Sequence, residues 1–353
     1  ITHAMGGGRA GSLLSAIDRT VTPAGARLLE RRISAPSGRV DTIRARHESV
    51  SVMLDRDRFC HDLRESLRSV HDLERALSRL ALDRGGPRDM AAIRNTIAAA
   101  AQIAGLLDGF DPGAVLSAAA RDLTGHDDLL SLLADALVAE PPLLARDGGF
   151  IAAGHDADLD DARLLRDEGR QVIAGMQADF VAQTGIQSLK IKHNNVLGYF
   201  IETTDTHAAR MLSPPLSDTF IHRQTTANQL RFTTVALSEI ETRILNAGGR
   251  ALEIEKRLYW GLREAILDQS GPLSALARAL AEFDLAAALA DLARTEGWTR
   301  PEIDQSRAFE ITGGRHPVVE TALRRSGTPF VANDCDLTTA PIWLLTGPNM
   351  AGK

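Results

Sequence analysis

Apolar residues recur at helical spacing through most of the chain. Between Ser12 and Leu107 they keep a helical period, as in Leu28, Leu29 and Ile33 after TVTPAG and Leu73, Leu77, Leu80 and Leu82 in HDLERALSRLAL. That spacing predicts a series of helices sharing one core. The break RGGPRD, Arg84 to Asp89, predicts the end of one helix and the start of the next, since Gly suits a helix end and Pro is tolerated in a first turn. A longer helix is predicted from about Asp156 to Gln183, with Leu165, Val172, Met176 and Phe180 as its apolar positions. Another is predicted to begin at Ser238, where Ser238 and Glu241 have capping-box spacing. Its stripe runs Ile240, Ile244, Ala247, Ala251, Ile254, Leu258, Leu262, a packing seam for another helix. Unbroken to Asp268, it would be roughly 46 Å long at 1.5 Å per residue. Gly248 and Gly249 mark a candidate bend.

Between these two helices the period shortens to two. In SLKIKHNNVLGYFIET, Leu189 and Ile191 alternate with Lys190 and Lys192, an Asn194-Asn195 turn follows, and a β-rich segment returns, which predicts a hairpin. TFIHRQT and LRFTTVA read as two more short strands. A small sheet is thus expected at the tip of two long antiparallel helices. After Trp298, FEITGGRHPVVE and PFVANDCDL are strand-and-turn text. They predict a new α/β segment from near Pro301, closing with an apolar strand at Ile342 to Leu345.

Composition agrees with this mainly α reading. The chain is 44% hydrophobic but only 4% aromatic, and Ala, Leu and Arg, which it uses heavily, favour helices. A net charge of −6 excludes a uniformly basic nucleic-acid coat, so any such contact must come from a local patch. No apolar run reaches membrane-spanning length. Cys60 and Cys335 stand far apart and form no metal-type pair, which suits a reducing, cytoplasmic setting.

Two segments carry candidate chemistry. Gly347, four residues, then Gly352 and Lys353 form a phosphate-cradling pattern without its closing Ser or Thr. The other reading is an ordinary turn after a strand. Without the hydroxyl that helps to hold Mg²⁺ and without downstream carboxylates, the chain as written is not expected to hydrolyse ATP. The second segment is the predicted sheet. Lys190, Lys192, Arg210, Arg223 and Arg231 outnumber Glu202, Asp205 and Asp218 there, a local +2. His193, Asn194, His222, Gln224 and Asn228 add donors of the kind that position proteins on phosphate and sugar, although a solvated hairpin would carry a similar set. Tyr199 and Phe200 are candidates for base stacking, with at least one expected in the core. His316 beside Pro317 reads as a turn or packing residue rather than as a ligand or acid-base group, and the acidic run near Asp156 as a helix start complementing the macrodipole rather than a carboxylate cluster.

Taken in order, TVTPAGARLLERRISAP, DLERALSRLALDRGGPRDM, NNVLGYFIE, HRQTTANQLRF, GRHPVVE and TGPNMAGK resemble the MutS family of DNA mismatch repair ATPases over essentially the whole chain. The resemblance implies a helical core at 1–154, a first lever helix at 155–187, a β-rich DNA clamp at 188–237, a second lever helix returning to the core at 238–300, and the start of a P-loop ATPase domain at 301–353. It implies backbone contact with DNA through Arg223 and Asn228; Lys190, Lys192, Asn194, Gln224 and Arg231 complete the expected DNA set. For the nucleotide it implies Phe330 and Val331 beside adenine and Gly347, Pro348, Asn349, Met350, Ala351, Gly352 and Lys353 at the phosphates, the ligand being ATP or ADP with Mg²⁺. The implied partners are duplex DNA with mismatches or small loops, a second copy of the chain, and MutL. Ala227 departs from the family, which often has a basic residue there. The family's mismatch-inserting segment would precede Ile1, so the chain reads as a fragment. A MutS-like paralogue, or another DNA-tethering ATPase, is the alternative.

Overall fold

A computed structural model describes residues 1–3, 7–194, 196–338, 342–344 and 346. Helix dominates, and the chain divides into two compact units, Ile1–Gly85 with Asp89–Leu132 and Ala265–Lys353, and Gly86–Arg88 with Leu133–Glu264.

In the first unit the helix Ser270–Glu296 is the central element. Leu273, Leu276, Leu280, Phe283, Leu285 and Leu292 along it are all buried, packed by helices that include Pro23–Ser34, Val40–Asp55 and Leu73–Ala81. The helices on either side of RGGPRD end at Ala81 and begin at Pro87, as the Gly-Gly-Pro text predicts. Strands β5 (Glu310–Gly314) and β6 (Asn333–Asp336) pair antiparallel around the helix Pro317–Arg325. This segment is tied to the central helix through its Glu296, which bonds Arg324 at 2.7 Å, while Arg315 donates to the Glu296 carbonyl at 2.9 Å. The predicted strand at Ile342 to Leu345 does not form over Ile342–Leu344. A strand needs a neighbour for its backbone groups, and none of the described residues pairs with this stretch; Leu345 lies outside the described residues.

In the second unit the helices Ala157–Thr184 and Val235–Asp268 pack antiparallel along the part of the latter that ends at Glu264. Gly169 sits where an added Cβ would be 2.5 Å from Ile244, and farther along Arg163 pairs with the buried Glu255 and Arg257 with Asp156. Asp156 caps the first helix by accepting from the Leu159 N–H at 2.9 Å. Ile173 and Phe180 form its buried seam, whereas Leu165 and Val172, two of the predicted apolar positions, are each 46% exposed. The second helix keeps its predicted stripe, with Ile244, Ala247, Ala251, Ile254 and Leu262 buried, and continues unbroken through Gly248 and Gly249. Its start corrects the sequence reading. The helix begins at Val235 and Thr234 caps it by accepting from the Leu237 N–H at 3.1 Å, because the strand Gln229–Thr233 ends only one residue before that cap. Glu241 is thereby released from the expected capping box and accepts instead from the Tyr199 N–H at 3.0 Å.

Between these helices lie β1 (Lys190–Asn194), β2 (Gly198–Thr204), β3 (Ile221–Thr226) and β4 (Gln229–Thr233), all antiparallel in the order β1-β2-β4-β3. The hairpin between β1 and β2 closes with Asn194 opposite Gly198, where φ is +68° and an added Cβ would be 1.7 Å from Glu241 Oε1; only Gly fits. Asn195, half of the predicted turn, lies outside the described residues.

Candidate nucleic-acid interface

The register and the two-residue period of the strands divide the sheet into two faces. On one, Ile201, Leu230 and Phe232 join Ile173, Phe180, Met211, Phe220, Leu237 and Ile244 in a single buried cluster that roots the sheet on both helices. Tyr199 packs against this cluster. The other face carries Lys190, Lys192, Phe200, Glu202, Arg231 and Gln224, since Lys190 pairs with Glu202, Lys192 with Phe200, and Arg231 with both Glu202 and Gln224.

Lys190 apart, that polar face is a closed network. Glu202, only 6% exposed, receives Lys192 Nζ at 2.6 Å and Arg231 Nε at 3.3 Å. Arg231 also donates to Gln224 Oε1 at 2.9 Å, and its guanidinium carbon lies 4.7 Å from the centre of the Phe200 ring, within cation–π range. Phe200 is 3% exposed beneath it and so is closed to base stacking, while half-buried Tyr199 packs against the core cluster on the other face. Burial pushes the Glu202 pKa up, but hydrogen bonds and charge from Lys192 and Arg231 more than reverse this and leave it below the usual carboxylate value. Asn194 is also engaged, accepting from the Val196 and Leu197 N–H groups at 2.9 and 2.7 Å, a turn-forming use of Asn.

The rim differs from the face. Arg223 is exposed at the register shift between His222 and Gln224 on edge strand β3, and Asn228 is exposed in the turn between β3 and β4. The Asn228 carbonyl accepts from the Asp205 N–H at 3.2 Å. The side chains of Arg223, Asn228 and Lys190 make no hydrogen bond or ion pair among the described residues. The structure therefore splits the seven predicted DNA residues: Lys190, Arg223 and Asn228 present free polar ends, while Lys192, Asn194, Gln224 and Arg231 are bonded within the sheet. Sequence reading passed over Glu202 as an organising group. Its signal was positional: a hairpin closing near Asn194 brings Lys190 and Lys192 beside Glu202.

The family profile of MutS domain III matches residues 1–290. The chain belongs to the MutS family. It is 67% identical over its full length to the DNA mismatch repair protein MutS of Paracoccus denitrificans (strain Pd 1222), covering 40% of that protein. It is 66% identical to the DNA mismatch repair protein MutS of Ruegeria pomeroyi, covering 41%. The chain thus spans about two fifths of the length of these curated relatives.

Of the nucleotide residues that the MutS resemblance marks, Gly347 to Lys353 lie outside the described residues. Phe330 is half-buried and lines an open groove of about 460 Å³ with Glu320, Arg324, Gly327, Thr328 and Pro329. Val331 beside it is exposed. Arg324, the cation in that lining, is held by Glu296 and Glu320. His316 caps the helix Pro317–Arg325, its ring nitrogen accepting from the Val319 N–H at 3.4 Å. No helix is long and apolar enough to cross a membrane among the described residues.

Proposed function

We propose that this chain is the central portion of a mismatch-sensing MutS ATPase and that its four-stranded sheet is the clamp that touches the DNA backbone. One observation carries the reading: Arg223 and Asn228 stand unengaged on the exposed edge of a sheet anchored to two long helices. A cation and an amide at that rim can pair with phosphate oxygens, and such contacts set position on a duplex while carrying no sequence information. Mismatch discrimination is assigned to parts of the protein that this chain does not include.

Exchange of ADP for ATP, with Mg²⁺, would switch the clamp between states. Phe330 would hold the adenine and Lys353, with the Gly347–Gly352 backbone, the phosphates. The whole protein would act as a dimer closing around mismatched duplex and recruiting MutL, in the cytoplasm. The test is binding of the chain to matched and mismatched duplexes across a salt series, with Arg223→Ala and Asn228→Ala alongside. Weak binding, indifferent to the mismatch, steep in salt and reduced by either change is the expected result. Binding that persists unchanged in both variants would sink the clamp assignment.

A further inference from the structure

We propose that Glu202 limits how strongly the clamp grips DNA, by holding Lys192 and Arg231 in the sheet so that neither neutralises a phosphate. This rests on the clamp reading above. Four basic residues of the expected DNA set lie on the strands, Lys190, Lys192, Arg223 and Arg231, and a charge count treats them alike. The structure does not. The Lys192 ammonium, on a side chain 48% exposed, is 2.6 Å from Glu202, close enough to a phosphate-accessible surface to serve DNA if it were free. Arg231 is fixed on three sides, by Glu202, by Gln224 and by the Phe200 ring. One buried carboxylate therefore holds two cations on the sheet's polar face and leaves Lys190 and Arg223 as the strand charges free to reach a phosphate.

The physical consequence is a salt dependence less steep than all four strand cations together would give. Each phosphate neutralised releases condensed counterions and adds about 0.9 to the slope of log affinity against log salt. A clamp that must move along a duplex or let go of it is served by few such contacts, and Glu202 keeps them few. Gln at this position retains the shape and the hydrogen-bonding oxygen but removes the charge that holds the two cations.

The experiment measures affinity of the purified 353-residue chain for a matched duplex between 50 and 200 mM salt, for wild type, Glu202→Gln, Lys192→Gln, the double variant and Arg223→Ala. Release of both cations predicts that Glu202→Gln binds more tightly at the low-salt end and steepens the slope by about 1.8, so that it loses about twelvefold more affinity than wild type over this fourfold salt range. Lys192→Gln should leave the wild-type slope within about 0.3, yet remove about half of the gain in the double variant. Lys192 is half-exposed, so that arm stands even if Glu202→Gln compromises the fold. An unchanged slope in Glu202→Gln, or a flattening by about 0.9 in Lys192→Gln alone, overturns the proposal. If Arg223→Ala still flattens the slope in that event, the clamp reading survives and Glu202 is structural only. If no variant binds at 50 mM, both fail.

Discussion

Asp284 is fully buried in the middle of the helix Ser270–Glu296, and its replacement by Ala should be among the most damaging single changes in the first unit. Its carboxylate accepts from the Val21 N–H at 3.0 Å, the Thr22 N–H at 2.8 Å and the Thr22 hydroxyl at 2.6 Å. Those bonds fasten the TVTPAG segment to the central helix at a sequence separation of more than 260 residues. Gly25 makes the approach possible, because a Cβ there would stand 2.1 Å from Asp284 Oδ2. Asp284→Ala strands two backbone donors and a hydroxyl. At about 1–3 kcal/mol for each orphaned donor, reduced by the desolvation that the carboxylate no longer suffers, the net loss should be about 3–5 kcal/mol. Gly25→Ala should cost about 2 kcal/mol or more in the wild type through overpacking. In the Asp284→Ala background the new methyl gains room and its cost should fall below about 1 kcal/mol. Urea unfolding followed by far-UV circular dichroism reads all four corners of the cycle. A loss under about 1 kcal/mol for Asp284→Ala, well below the range expected for stranded donors, or an equal Gly25→Ala cost in both backgrounds, would refute the argument. Burial also raises the Asp284 pKa against the pull of its hydrogen bonds. Stability from this group is therefore fully present below the ordinary value of 3.8 and declines as pH rises through the folded value, a slope that Asp284→Ala should lack.

Glu202 has the opposite sign: its depressed pKa contributes stability above the ordinary value of 4.5 that is lost as pH falls through the lower folded value, so acid titration of Glu202→Gln should lack that component. Cys60 is buried and burial raises its thiol pKa; native protein should show rapid labelling of Cys335 only, with Cys60 reacting on unfolding, and equal labelling rates would contradict its placement. Gly198→Ala forces a side chain into the left-handed region against Glu241 and should destabilise the hairpin by about 1–3 kcal/mol, seen as faster amide exchange across β1 and β2; unchanged exchange would argue against the tight turn.

The long helices were legible because a stripe such as Ile244, Ala247, Ala251, Ile254 repeats at helical spacing whatever it packs on. The burial of one face against a particular partner was not, which is why Leu165 and Val172 looked like seam residues and proved half-exposed. The helix start was misread by three residues because Ser238 and Glu241 satisfy a local capping rule, while Thr234 owes its role to the end of β4 just before it. Strand existence was readable from alternation, but the order β1-β2-β4-β3 brings Arg231 beside Glu202 by a pairing that no local pattern announces. For the same reason the basic residues looked equivalent in sequence and separate in the fold into a bonded pair, Lys192 and Arg231, and a free pair, Lys190 and Arg223. Asn194 could have been placed from the turn it precedes, since Asn there commonly accepts from the backbone two residues on.

Hydrogen–deuterium exchange of the chain with and without a matched duplex at low salt tests the central assignment most directly. The account predicts that DNA slows exchange over the β3 edge and the following turn, Ile221 to Asn228, and leaves the helices Pro23–Ser34 and Pro87–Leu106 unchanged. Protection confined to those core helices, or no protection anywhere while DNA is bound, would contradict it.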